Sequence, residues 1–277
     1  MSSTIDLHCH TTASDGKLSP QALITKAQER NITTLAITDH DTLAGFREAQ
    51  APASEAGINL ISGIELSTVW AGINVHIVGL NLDPNHPVIL EAEAYQKKVR
   101  IERADIIAER LGKRLKHDID MDEIRSYTQD GQIGRPHFAQ YLLKYELIGS
   151  FAEAFNKYLG AGKIGDVKSG WPDIPTAVKW IIEAGGVAVF AHGHRYKMTR
   201  TKLRSCVQEF VYAGGRAIEV AYGTMDSSQQ QHMVALAKEF NLKGSCGSDY
   251  HGPNRFGLEL GTMAKFPEGI TPVWETF

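Results

Sequence analysis

Cysteine is scarce. The 277-residue chain has three, Cys9, Cys206 and Cys246. Their odd number and the lack of any Cys-x-x-Cys spacing exclude a disulfide framework and a zinc ribbon. No apolar run is long enough to span a bilayer, and no basic-then-apolar leader opens the chain. A cytoplasmic enzyme without membrane contact or an obligate protein partner is the expectation. There is no Gly-x-Ser-x-Gly elbow, no Walker A run and no glycine-rich phosphate loop. Any phosphate must then be held by metals and cationic side chains. Repeats and low-complexity stretches are also missing. The net charge of −3 carries no global signal for nucleic acid.

What the chain does have is short β-rich runs alternating with helical ones. Strands are expected at 4–7, 34–38, 60–64, 74–80, 187–191, 217–220 and 244–247. Helices are expected at 21–30, 44–56, 176–184 and 227–240, with Ser19-Pro20 as a helix start and Gly57 as a stop. Strands alternating with helices imply parallel βα units. Seven of them suggest a closed or nearly closed barrel, an open sheet being the other possibility. Residues 81–170 break the rhythm with helical patterns and no strand. The expected organisation is a barrel of residues 1–80 and 171–277 with a helical insertion at 81–170. The insertion holds 14 of the 29 Lys and Arg residues. Its stretch 97–116 is especially basic, which reads as a solvated helix face.

The histidines fall in order along this frame. His8-Cys9-His10 follows the first strand, and alternate strand residues share a side, so two imidazoles converge while Cys9 packs away. In βα barrels functional groups gather at the C-terminal ends of strands. Those ends supply His8, His10 and Asp15; Asp39, His40 and Asp41; Glu65; His76; His192; Glu219; and Asp249 with His251. Each alone has an ordinary structural role. His76 suits a hydrogen-bonded core, Glu65 a lysine partner, Asp39 and Asp41 helix caps, and Asp249 a turn. Glu219 is the weakest candidate, with ligation and support of a ligand equally open. Together they put a metal-capable group at every strand. Nine candidates, His8, His10, Asp15, His40, Glu65, His76, His192, Asp249 and His251, exceed the needs of one ion and fit two or three. The mixed imidazole and carboxylate set suits Mn, Fe or Zn better than Ca. Clustered divalent ions suit phosphoryl chemistry. Arg195 begins a run of five cations three residues after His192, and arginine forks match phosphate oxygens. Arg135 is a second candidate. Tyr196, Phe138 and Trp171 are candidates for base stacking.

These motifs resemble the polymerase and histidinol phosphatase (PHP) superfamily of metal-dependent phosphoesterases. The resemblance rests on Asp6-Leu7-His8-Cys9-His10, Ser14-Asp15-Gly16, Thr38-Asp39-His40-Asp41, Gly63-Ile64-Glu65, His76-Ile77-Val78-Gly79, Ala191-His192 and Gly247-Ser248-Asp249-Tyr250-His251. It implies an α/β fold, a distorted (βα)7 TIM-like barrel, with two or three metals at its mouth. It also implies one ion on His8, His10, Glu65 and Asp249, a second on Glu65, His76 and His192, and a third on Asp15, His40 and His251. Manganese is the first expectation, with Zn, Fe or Mg as alternatives. Within the superfamily the chain is similar to nucleoside 3′,5′-bisphosphate phosphatases and RNase AM-like 5′→3′ exoribonucleases. That match rests on Arg135-Pro136-His137-Phe138-Ala139, Gly162-Lys163, Trp171, 184–189 and Arg195-Tyr196. It implies phosphate binding by Arg135, His137 and Arg195. Where that branch has Ala-His-Pro, this chain has Ala191-His192-Gly193-His194, a looser loop.

The expected activity is hydrolysis of a nucleotide phosphate, or trimming of short RNA from its 5′ end, by metal-activated hydroxide. Arg195 and Arg135 would neutralise the oxygens. His40 and Asp41 are the two candidates for general acid. A histidinol-phosphate phosphatase, an amidohydrolase barrel (which would carry a lysine or carboxylate near the fourth strand, where this chain has His76) and a non-catalytic nucleic-acid-binding module are the alternatives.

Overall fold

Seven strands follow one another around a single sheet in sequence order. They are β1 (Ile5–Asp6), β2 (Thr34–Ile37), β3 (Asn59–Trp70), β4 (Ile73–Leu80), β5 (Val187–Phe190), β6 (Ala217–Tyr222) and β7 (Lys243–Gly247). The structure is a computed structural model describing residues 4–128, 132–253 and 258–277. Between β7 and β1 three backbone hydrogen bonds take the place of a ladder. Leu7 N–H donates to Cys246 O (3.1 Å), Asp249 N–H to His8 O (2.8 Å) and His10 N–H to Tyr250 O (2.9 Å). The His8-Cys9-His10 segment is therefore the seam that closes the barrel. It lies beyond β1 and bridges Tyr250 through Cys9. The architecture is the distorted seven-stranded α/β barrel expected from the sequence.

The expectation of parallel strands throughout is corrected. β4 runs antiparallel to both β3 and β5. A parallel crossover needs a dozen or more residues, and the two expected strands here are only nine apart. The chain turns instead at Ala71-Gly72, both with positive φ (45° and 73°), as the tight hairpin turn requires. This lengthens β3 well past residue 64. Glu65 thus lies mid-strand rather than at its end, and Ser67 pairs with His76. Reversal brings the first half of β4 to the same rim as the C-terminal ends of its neighbours.

Leu7, Ala36, Ile61, Val78, Leu80, Val189, Ala191, Ala217 and Val273 fill the barrel interior below that rim. Outside, α1 (Pro20–Glu29) and α2 (Ala44–Ala56) cover the β1–β3 side. After β4 come α3 (Pro87–Leu115), α4 (Met121–Ser126), α5 (Arg135–Lys144) and α6 (Phe151–Ala154). A π-helical turn, Phe155–Leu159, ends the group. The remaining helices, α7 (Ile174–Glu183), α8 (Arg200–Tyr212) and α9 (Ser227–Glu239), complete the outer layer. Residues 104–167 build their own core around Leu111, Phe138, Tyr141 and Leu142. Helix α3 belongs to both units: its Ile89 and Ala92 pack in the barrel's outer core, its Ile107 and Leu111 in the second. The change of core therefore falls within α3 rather than at residue 80. No helix of the described residues is long and apolar enough to cross a membrane.

The seam is tight. A Cβ placed on Gly247 would lie 2.2 Å from His8 Cβ and 3.0 Å from its backbone N. Overpacking of this kind costs about 1–3 kcal/mol. Gly247→Ala is expected to lower the melting temperature by several degrees. An unchanged melting curve would mean that the seam yields freely.

Candidate metal centre

At the rim, one carboxylate gathers five imidazoles. Glu65 Oε1 lies 2.9 Å from His76 Nδ1 and 2.8 Å from His192 Nε2. Its Oε2 lies 3.4 Å from His8 Nε2, 3.3 Å from His10 Nε2 and 3.0 Å from His40 Nδ1. Two further acids complete the cluster. Asp249 Oδ1 is 3.1 Å from His10 Nε2. Asp15 Oδ1 is 3.2 Å from His251 Nε2, and His251 stacks on His10 at 4.0 Å between ring centres. All nine sequence candidates meet in one cluster.

Burial alone would push the Glu65 carboxyl up, but His40, His76 and His8 outweigh it and hold it well below the usual carboxylate range. Burial likewise opposes ionisation of Asp249 and is outweighed by His251 and His8. His10 is pushed down to about 3, by burial first and then by His251. Anionic carboxylates beside a neutral imidazole are the protonation states that bind metal. The donors form four overlapping sets: His10–Asp15–His40–His251, His8–His10–Asp249, His8–Glu65–His192 and His40–Glu65–His76. Compared with the sets the resemblance implies, His10 joins the Asp15 group, and His76 and His192 fall into different groups around Glu65.

The residues fit bound cations. His8 Nε2, His10 Nδ1 and Glu65 Oε2 are buried and make no hydrogen bond. A carboxylate oxygen ringed by three imidazoles and bonded to none of them is what a site shaped around cations leaves behind. Glu219 fixes the orientation of one ring. It is buried, and its Oε1 sits 2.6 Å from His8 Nδ1. That contact turns Nε2 toward Glu65 (3.4 Å) and Asp249 (3.5 Å), and with a metal bound it would keep the ring's proton on Nδ1. Glu219 Oε2 also accepts from the His192 N–H at 2.5 Å. His192 (φ 31°) and Asp249 (φ 52°) are held in left-handed backbone, which persists only where the surroundings over-determine it.

Other candidates have different work. Asp39 accepts from Thr11 N–H (2.7 Å), Thr11 Oγ1 (2.6 Å) and Ser14 Oγ (2.6 Å) and so anchors the loop carrying His10 and Asp15. It does not cap α2. Asp41 is corrected as a general-acid candidate: it is fully buried, and Ser67 and Arg100 occupy both its oxygens. His137, a phosphate candidate by resemblance, sits at the start of α5. It is buried, and its Nδ1 accepts from Gly134 N–H (2.9 Å), capping α5. Phe138 is core. Cys9 is buried, with its thiol on Ala36 O.

A cleft of about 510 Å³ opens over Glu65, His40, His76, His192, Asp249 and His251. Arg135, Lys168, Arg195 and Lys197 line its sides, with Tyr196 and Phe155. Arg195 donates from Nη1 to Asp249 Oδ2 (2.9 Å) and Tyr222 Oη (2.6 Å). Tyr196 Oη accepts from His76 N–H at 2.9 Å, so this ring also positions a ligand strand. The sequence reading missed Lys168 and the buried Asp166, which lies 3.1 Å from Lys168 and 3.7 Å from Arg135. These residues meet only through the tertiary fold, and nothing in their spacing announces it. Arg100 and Arg103 correct the solvated-face reading. Both are buried, beside a recess of about 150 Å³, with Arg103 stacked 4.3 Å from the Trp171 ring.

A family model described as PHP domain matches residues 6–187. The chain belongs to the PHP domain family. Its PHP relatives include a 5′-3′ exoribonuclease of Haemophilus influenzae, 42% identical over 278 residues and covering the whole of both chains. A 3′,5′-nucleoside bisphosphate phosphatase of Chromobacterium violaceum is 38% identical over 271 residues, 98% of this chain and 95% of the relative. A solved structure of an amidohydrolase from Chromobacterium violaceum, with bound sulfate and no metal, superimposes with a TM-score of 0.91 at 36% identity. The match covers 99% of this chain and 95% of that one. The PHP chain described here is a metal-dependent phosphoesterase.

Partners that orient metal-binding histidines typically contribute 10–100-fold in metal affinity. Glu219→Gln is expected to weaken divalent-metal binding by about that factor, read by chelator competition. Unaltered affinity would remove Glu219 from the metal centre.

Proposed function

We propose that this protein removes phosphate from nucleoside 3′,5′-bisphosphates and trims short RNA from a 5′-phosphate end. One observation carries the reading: nine metal-capable side chains converge beneath a cleft whose walls bear Arg135, Lys168, Arg195 and Lys197. The names of the relatives, and the sulfate in one of them, support a phosphate-bearing substrate. The nine residues would hold two or three divalent ions, manganese first and Zn, Fe or Mg as alternatives. Such ions supply Lewis acidity and a water of lowered pKa.

The chain's own residues do the rest. Arg195 is half exposed, so its fork faces both Asp249 and an incoming phosphate. Arg135, steadied by Asp166 and by Leu159 O (2.9 Å), reaches the cleft from the start of α5. Both place positive charge where the phosphoryl oxygens gather it. Of the two general-acid candidates, His40 lines the cleft and Asp41 does not. Residues 81–170 act as the substrate cap. The cytoplasm is the location proposed, in keeping with three free, buried cysteines.

The test is direct. The manganese-loaded protein should release phosphate from adenosine 3′,5′-bisphosphate and shorten 5′-phosphorylated oligoribonucleotides from that end. Metal-loaded protein inactive on both would overturn the substrate assignment. His10→Ala should abolish turnover, and near-normal activity would contradict its place in the centre. Arg135→Ala should lower kcat/KM roughly 10–100-fold, the worth of a charged hydrogen bond. Wild-type kinetics in that variant would take Arg135 off the substrate.

A further inference from the structure

Helix α3 reaches the metal centre through three side chains on one face. Glu93, Gln96 and Arg100 are three and four residues apart, the spacing of helical neighbours. Glu93 Oε1 accepts from Leu43 N–H (2.7 Å) and Thr42 Oγ1 (3.2 Å). Gln96 Nε2 donates to Ser67 O (2.8 Å). Arg100 donates from Nε to Asp41 Oδ2 (2.8 Å) and from Nη2 to Ser67 Oγ (3.3 Å), with Nη2 also in ion-pair contact with Asp41 Oδ2 (2.5 Å). Ser67 in turn donates N–H and Oγ–H to Asp41 (2.6 and 2.8 Å). These contacts grip the turn directly after His40 and the strand residue two beyond Glu65. Asp41 itself is held at φ 58°, and its N–H donates to Glu65 O (2.9 Å).

We propose that Arg100 is a positioning residue for the metal centre, acting through Asp41 to hold His40 against Glu65. The proposal rests on the metal-centre reading given above. Arg100 and Asp41 are both buried, and a buried charge without its partner is costly, so each holds the other in place. The planar guanidinium contacts Asp41 and Ser67 at once, which a lysine's point charge does not reproduce. Ligand geometry tolerates only small displacement, so a freed 41–43 turn takes His40 out of the set it forms with His10, Asp15 and His251. Ile89 and Ala92 of the same helix pack in the barrel core. The start of α3 is thus a strut between cap and centre.

The experiment uses the full chain purified without oxygen as wild type, Arg100→Gln, Arg100→Lys, Asp41→Asn and the control Arg114→Gln on the exposed end of α3. Manganese binding is followed by chelator competition and by electron paramagnetic resonance, beside kcat and KM. Arg100→Gln should weaken one manganese site about tenfold or more and leave the others unchanged. Its spin-coupling pattern should simplify, and kcat should fall while KM holds. Arg100→Lys should recover part of the loss, and Arg114→Gln should match the wild type. Wild-type manganese loading in Arg100→Gln overturns the proposal. If that variant does not fold, Asp41→Asn decides by the same selective loss or its absence. A wild-type protein that binds no divalent ion defeats the metal-centre reading itself, a result distinct from equal binding by wild type and variant.

Discussion

The structure depends on one buried carboxylate, Glu65, set among five imidazoles. A carboxylate taken out of water is costly unless it is matched by charge or by metal. Glu65 is fully buried, and its neighbours come from the seam, from the loop after β2, from β4 and from the loop after β5. No element can shift without exposing or mismatching that charge. The antiparallel turn of β4 follows the same constraint, since it brings His76 opposite Ser67 on the Glu65 strand.

Around this centre, other buried acids act as fasteners. Asp6 accepts from Ser248 N–H (2.9 Å) and Gly261 N–H (2.8 Å), drawing the two sides of the seam together. Asp39 fastens the loop of His10 and Asp15, and Asp41 the turn after His40. Each is saturated with donors, as buried acceptors generally are. The acidic residues beside the histidines therefore divide into those with oxygens left open toward the cluster and those whose oxygens are spent.

This division explains what the sequence could show. Most of the convergent residues were legible because strand-end placement is a local property, read from a few residues on either side; Glu65 and His76 instead lie mid-strand and meet through the β3–β4 hairpin. Asp41 was misread because its partner Arg100 is set by contacts that local pattern does not encode, and the same is true of the α5 start and the Ser14 backbone that His137 meets. The basic run on α3 was opaque for a related reason. Gln96, Arg100, Arg103 and Ile107 fall on one helical face, and a polar face turned inward has the same spacing as one turned to solvent. The hairpin between β3 and β4 was legible in principle, because the gap between the two runs was too short for a helical crossover.

The most direct test of the account is a crystal structure of the manganese-loaded protein with anomalous scattering recorded at the metal edge. Two or three peaks within about 2.2 Å of the nine side chains, with Glu65 contacting more than one ion, is the predicted result. A single ion that leaves Glu65 uncoordinated, or ions bound away from the seam, would contradict it.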